Sequence, residues 1–178
     1  MSGWRPGDRR PDRESMLRVD QAGEYGATRI YAGQLAVLRR NCPEAKLIAR
    51  MAAQEERHLK RFNALMADRR VRPTALQPLW NVAGFALGAA TALMSEKAAL
   101  ACTDAVETEI DRHYTSQLGA LGDDDPELSA DIAEFQAEEL EHRDTARQAG
   151  AAQAVGYPLL TAAIRAGCRV AIGLSKRI

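Results

Sequence analysis

Two short motifs stand out by residue type and spacing: Glu55-Glu-Arg-His58 and Glu139-Leu-Glu-His142. On a helix, a carboxylate and an imidazole three residues apart share one face, so each motif can offer two ligands to one metal. The chain has only three histidines, and two of them follow a glutamate in this way. A further glutamate precedes each motif by about one helix. Glu24 lies 31 residues before Glu55, and Glu107 lies 32 before Glu139. Each half therefore reads as a helix with Glu followed by a helix with Glu-x-x-His. A carboxylate among apolar neighbours is costly unless something compensates it. Four such carboxylates and two imidazoles turned to one core call for cations, and two divalent metals would serve. Oxygen-rich ligands with one imidazole per metal suit iron or manganese. No thiolate belongs to the set, which argues against structural zinc. In this reading Glu55 and Glu139 bind and bridge, Glu24 and Glu107 cap one metal each, and His58 and His142 fill one position each. Glu56, Glu138 and Glu141 flank the motifs as solvated or supporting groups. Glu138 or Gln54 could orient a histidine from across the bundle through its second nitrogen. His113 lacks the preceding glutamate and, on spacing alone, is an ordinary histidine. Tyr114, seven residues after Glu107, reads as core.

The elements that must position these residues are helical. In the first, Leu17, Gln21, Glu24, Thr28, Tyr31, Leu35 and Leu38 recur at alternating steps of four and three over about 13–39. Pro43 opens a second helix running to about residue 69. Two prolines mark 71–78 as a connection. One long helical stretch is expected over about 79–118, nearly all apolar or small at first and amphipathic later. Asp125 and Pro126 begin the next helix, and Gly156-Tyr157-Pro158 separates it from a last one over about 159–175. Abundant alanine and few β-branched residues favour helix throughout. The expected architecture is all-α, a ferritin-like four-helix bundle with an additional C-terminal amphipathic helix.

The chain has 178 residues, enough for one domain with a substantial core, here residues 13–178 behind a flexible tail of residues 1–12. Lys+Arg and Asp+Glu both number 24, so the basic excess that nucleic-acid binding requires is missing. Cys42, Cys102 and Cys168 are odd in number and far apart, and read as reduced, mostly buried thiols. The first residues lack the apolar segment of a signal peptide and make a poor mitochondrial presequence. The 16 residues from Leu79 to Met94, nearly all apolar or small but including Asn81, are short for a membrane span. With the last helix, which carries Arg165, Arg169 and Lys176, they read either as core or as a surface that dips into a membrane.

Several segments together resemble the demethoxyubiquinone hydroxylase family: LRVDQAGEYGATRIYAGQLAVL, VRPTALQPLWNVAGFALGAATALM, ACTDAVETEIDRHY, EELEH and AGCRVAIGLSKRI. VDQAGEYGA and PLWNVAGFALGA are specific to it, whereas Glu-x-x-His is shared across ferritin-like proteins. The resemblance runs from about Arg18 to the C-terminus, with all six ligand positions present. It implies a di-iron monooxygenase that hydroxylates a polyprenylated methoxy-benzoquinol, demethoxyubiquinol, late in ubiquinone synthesis. Dioxygen would supply the oxygen atom, and NADH the electrons, through the quinone itself. It further implies peripheral attachment to a membrane, on the cytoplasmic face of a bacterial inner membrane or the matrix side of a mitochondrial one. A lipid-binding accessory protein of the same pathway is an implied partner, and a homo-oligomer is compatible. Under the resemblance His113 and Tyr114 become a candidate electron-transfer pair. The competing reading is a ferritin-like iron-oxidising or storage protein using the same six ligands. A non-catalytic scaffold would not need them, and a rubrerythrin-like peroxidase would carry a thiolate iron site that is missing. No Gly-rich dinucleotide fingerprint is present.

Overall fold

A computed structural model describes residues 12–178. The tail assigned to residues 1–12 lies, apart from Asp12, outside the described residues. Six α-helices follow one another: α1 (Arg13–Val37), α2 (Pro43–Arg69), α3 (Gln77–Met94), α4 (Glu96–Leu121), α5 (Pro126–Gln148) and α6 (Tyr157–Ser175). A single 3₁₀ turn, Ala151–Gln153, separates the last two. No strand occurs among the described residues.

The starts are chemically marked. Asp12 accepts the Ser15 N–H, and Asp125 accepts the Leu128 N–H, satisfying donors that a helix N-terminus leaves open. Pro43, Pro126 and Pro158 sit in first turns, where no N–H is needed. The long helix expected over 79–118 is instead two. Ser95 is extended, with φ −178° and ψ 165°, and ends α3; its hydroxyl then accepts the Ala98 N–H and starts α4. Leu93 and Met94 before Ser95 and Glu96 to Leu100 after it are all good helix formers, so the pattern does not reveal the break.

Helices α1 and α2 form one hairpin, α4 and α5 a second, and the two hairpins make the four-helix bundle. The crossover between them contains α3, which lies along α1, while α6 lies along α4. The contact of α3 with α1 is backbone to backbone. A Cβ on Gly88 would fall 1.9 Å from the Ile30 carbonyl oxygen, and one on Gly33 2.1 Å from that of Phe85. The seam between α2 and α5 is built differently, from ion pairs of arginines on α2 with carboxylates at the start of and along α5. Arg69 meets Asp125 and Glu127, Arg61 meets Glu127 and Asp131, and Arg57 meets Glu134 and Glu138.

Of three buried apolar clusters, one joins α1 and α4 to α6 through Ile30, Val106 and Ile164, and the other two lie within the bundle. Leu17, Phe62, Leu65, Leu121, Leu128 and Ile132 belong to one. Tyr31, Ile48, Met51, Leu100, Ala101 and Ala146 belong to the other. On every bundle helix the functional glutamate falls between a residue of one cluster and a residue of the other. The carboxylates thus form a polar layer closed above and below by hydrocarbon.

Candidate metal centre

The six sequence-selected residues meet in that layer. Glu24, Glu55, His58, Glu107, Glu139 and His142 are all 2% exposed or less. They fall into two groups in which one ligand atom from each residue lies within 4.8 Å of the others. Glu24, Glu55, His58 and Glu139 make the first; Glu55, Glu107, Glu139 and His142 make the second. Glu55 and Glu139 belong to both. His58 Nδ1 is 3.0 Å from Glu139 Oε1 and 3.4 Å from Glu24 Oε2. His142 Nδ1 is 3.1 Å from both Glu55 Oε1 and Glu139 Oε2.

Many of these atoms are orphans. Glu24 Oε2, both Glu55 oxygens, His58 Nδ1, Glu107 Oε2 and Glu139 Oε1 have no hydrogen-bond partner among the described residues. Buried polar atoms are seldom left so. Two divalent ions would satisfy them together, and the donors, carboxylates with one imidazole per group, fit iron or manganese.

The electrostatics tell the same story in another form. Burial and the neighbouring carboxylates Glu139 and Glu24 push Glu55 well above the usual carboxylate range, and burial with Glu139 does the same to Glu107. Burial also opposes charge on Glu139, but His142 and His58 hold it down at about 2. Against burial again, Glu139 and Glu24 lift His58 to about 10. Without metal, the cluster neutralises itself with protons.

A ring of hydrogen bonds orients the six, and it repeats between the halves. Tyr31 lies seven residues after Glu24 and crosses to donate to Glu107 Oε1 at 2.7 Å. Tyr114 lies seven residues after Glu107 and crosses to donate to Glu24 Oε1. Burial and the adjacent carboxylates hold both phenols well above their ordinary pKa, so they remain donors. The histidines are held crosswise too. His58 Nε2 is 2.7 Å from Glu138 Oε2, and His142 Nε2 is 2.9 Å from Gln54 Oε1. Both partners weighed from the sequence are therefore in contact, one per histidine. Phe135 stacks on the His58 ring at 4.1 Å between centroids. Glu56 and Glu141 are exposed.

His113 stands outside the cluster. Its Nε2 is 3.1 Å from Asp20 Oδ1, which also accepts a bond from Gln117 Nε2 at 2.8 Å. Its ring centroid is 6.1 Å from that of Tyr114. Sequence reasoning gave no role to Tyr31, Asp20 or Gln117. The signal for Tyr31 was available in the repeated Glu-to-Tyr spacing of seven. Gln117 lies four residues after His113 on the same helix, with its Nε2 2.9 Å from His113 Nε2, whereas nothing marked Asp20, whose contacts depend on how α1 meets α4. The cysteines are free, but only Cys102 is fully buried; Cys42 and Cys168 are half-buried, against the expectation of mostly buried thiols. Burial raises both Cys102 and Cys168 to about 12, which removes thiolate chemistry.

Beside the carboxylate layer lies an apolar cavity of about 550 Å³ bounded by α1, α3, α4 and α6. Gly23 and Val106, next in sequence to Glu24 and Glu107, form part of its wall. Glu109 is its charged lining residue, held by Arg165 at 2.7 Å and Arg169 at 2.8 Å. Trp80 of α3 donates to Ser175 of α6 at 3.0 Å across one end. Outside the cavity the same two helices leave apolar residues in solvent, including Val82 (68% exposed), Leu93 (74%) and Leu159 (78%). These are surface and not core. No helix of the described residues is long and apolar enough to cross a membrane.

Comparison with known proteins joins these observations to one lineage. The sequence pattern of the family described as "Ubiquinone biosynthesis protein COQ7" matches residues 11–175. A Rhodospirillum rubrum protein named 3-demethoxyubiquinol 3-hydroxylase is 56% identical over 175 residues, covering 97% of this chain and 82% of its own length. A human protein named NADPH-dependent 3-demethoxyubiquinone 3-hydroxylase, mitochondrial, is 52% identical over 169 residues, covering 93% and 77%. The Saccharomyces cerevisiae 5-demethoxyubiquinone hydroxylase is 43% identical over 181 residues, covering 93% and 78%.

Proposed function

The chain belongs to the ubiquinone biosynthesis protein COQ7 family, and from that membership we propose a di-iron monooxygenase whose ligands are Glu24, Glu55, His58, Glu107, Glu139 and His142. The reaction is hydroxylation of a demethoxyubiquinol ring in ubiquinone biosynthesis, in line with the names of its relatives. The observation that carries the reading is the adjacency of two buried Glu/His groups to an apolar cavity of ligand size. A pair of irons held there would supply the redox chemistry that dioxygen requires.

The chain's own residues do the rest. Apolar walls from α1, α3, α4 and α6 take the ring and the start of the isoprenoid tail, and exclude water. Tyr31 and Tyr114 hold the capping carboxylates of Glu107 and Glu24 in fixed rotamers. Glu138 and Gln54 hold the imidazoles. His113, anchored by Asp20, and Tyr114 form the route by which electrons reach the site. Electrons come from a reduced nicotinamide, NADH by the sequence reading, whereas the human relative is named NADPH-dependent. The exposed apolar residues of α3 and α6 attach the protein peripherally to a membrane, on the bacterial cytoplasmic or mitochondrial matrix side. A lipid-binding accessory protein of the pathway and a homo-oligomer remain compatible with that surface. Storage of iron is the weaker reading, since an organic-sized apolar cavity beside the carboxylates serves no purpose in it.

The test is mass spectrometry of a short-chain demethoxyquinone incubated with iron-loaded protein, labelled dioxygen, and NADH or NADPH in parallel. One labelled oxygen in the product is expected. Unlabelled product, or none from protein holding two irons, would overturn the monooxygenase assignment.

A further inference from the structure

The two halves of the site correspond residue for residue: Glu24 with Glu107, Tyr31 with Tyr114, Glu55 with Glu139, and His58 with His142. The correspondence extends one residue further. Gln54 immediately precedes Glu55, Glu138 immediately precedes Glu139, and each reaches across to the other half's histidine. At every other place in this set the two halves carry the same residue type. At this one they carry an amide and a carboxylate. We propose that the two metal positions are therefore inequivalent, the position served by His58 binding a divalent ion more tightly than the position served by His142.

The argument is electronic. An imidazole that donates its remote N–H to a carboxylate is a stronger metal ligand than one that donates to a neutral amide, because the anionic acceptor draws the proton and leaves more electron density on the metal-facing nitrogen. His58 has such an acceptor at 2.7 Å, and His142 has an amide oxygen at 2.9 Å. The other ligands do not cancel the difference. Each capping glutamate accepts one tyrosine hydroxyl, and Glu55 and Glu139 are common to both groups. Arg57 binds the same Glu138 oxygen from the solvent side, so it holds the carboxylate in place and draws off part of its charge, but Glu138 stays an anion where Gln54 is neutral. The consequence is sequential filling, the Glu24/His58 position first. Glu138 and Gln54 act through the histidines and are positioning residues.

This inference rests on the di-metal reading, and the experiment separates the two. Metal-stripped protein is titrated with cobalt(II), followed by visible absorption and calorimetry. Glu107→Ala isolates the His58 position, and Glu24→Ala isolates the His142 position, which removes interaction between the metals from the comparison. The first variant should bind cobalt about tenfold or more tightly than the second. Adding Glu138→Gln to the first should weaken it to the level of the second, and adding Gln54→Glu to the second should strengthen it. Equal affinities in the two single-position proteins would overturn the proposal, as would an equal loss in both on Glu138→Gln. Should Glu138→Gln fail to fold by circular dichroism, Gln54→Glu decides, and no gain there overturns it. Failure of the unsubstituted protein to take up cobalt at all would instead overturn the di-metal reading.

Discussion

A buried carboxylate whose oxygens lack partners is a problem the fold tolerates only with cations or protons at hand, and this gives the cluster a pH signature. Between about pH 5 and pH 10 the native metal-free state binds more protons than the unfolded chain, because Glu55, Glu107 and His58 are all raised. Stability of the stripped protein should therefore fall as pH rises through that window. Glu139, held at about 2, works the other way and loses its contribution only below the ordinary carboxylate range. Thermal melts of stripped protein are expected to peak near pH 5, at about the lower edge of that window, and metal should restore most at high pH, since binding displaces protons. A flat profile between pH 5 and pH 9 would contradict the buried, proton-neutralised cluster. Replacing Glu139 or His142 by alanine should leave the helical circular dichroism intact while metal stoichiometry drops and hydroxylation is lost. The six clustering residues were legible because helical spacing fixes which residues share a face, and two Glu-x-x-His motifs among three histidines are hard to mistake. The Asp20 partner of His113 was not legible, because it sits on α1 and reaches α4 only through packing, whereas Gln117, four residues after His113 on the same helix, was within reach of the spacing argument.

At the scale of the helix, α3 shows why periodicity alone misleads. Its small and apolar residues continue the pattern of α4, yet Ser95 breaks the chain and lets α3 fold against α1 through Gly33, Gly84 and Gly88. Substituting Gly88 by alanine would set a Cβ against the Ile30 carbonyl, so α3 must shift outward. A loss of about 1–3 kcal/mol in chemical denaturation is expected, with weaker quinone binding because α3 walls the cavity. The start of α5 separates two contributions. Asp125 both caps the helix and pairs with Arg69. Asp125→Ala should cost about 1 kcal/mol or more, whereas Asp125→Asn should keep the cap and lose only the salt-sensitive part. Denaturation midpoints at low and high salt distinguish these. The four-helix core and the start of α5 could be read from sequence, since Asp125 and the prolines Pro43, Pro126 and Pro158 punctuate it, but the Ser95 start of α4 could not. The α3–α1 contact could not, because a glycine in an apolar run looks the same whether or not another backbone lies over it.

Taken together, the described residues carry a carboxylate layer inside and exposed apolar residues on α3 and α6 outside, with the cavity bounded by α1, α3, α4 and α6 beside that layer. A rim that seats on lipid would let a long-tailed quinol pass from bilayer to site without crossing water. Val82→Glu combined with Leu93→Glu should reduce co-flotation with lipid vesicles while leaving turnover of a short-chain quinol unchanged. Retained flotation would place the membrane contact elsewhere. The matched halves have a consequence of a different kind. The order Glu, Tyr, Glu, His, written twice with a crossover helix between, is what tandem duplication of one helical hairpin yields. A pair of identical hairpins associating as separate chains would have to carry the same residue before each shared glutamate. With both copies in one chain, positions 54 and 138 are free to differ. The glutamine–glutamate difference is thus an asymmetry that a pair of identical hairpins could not carry.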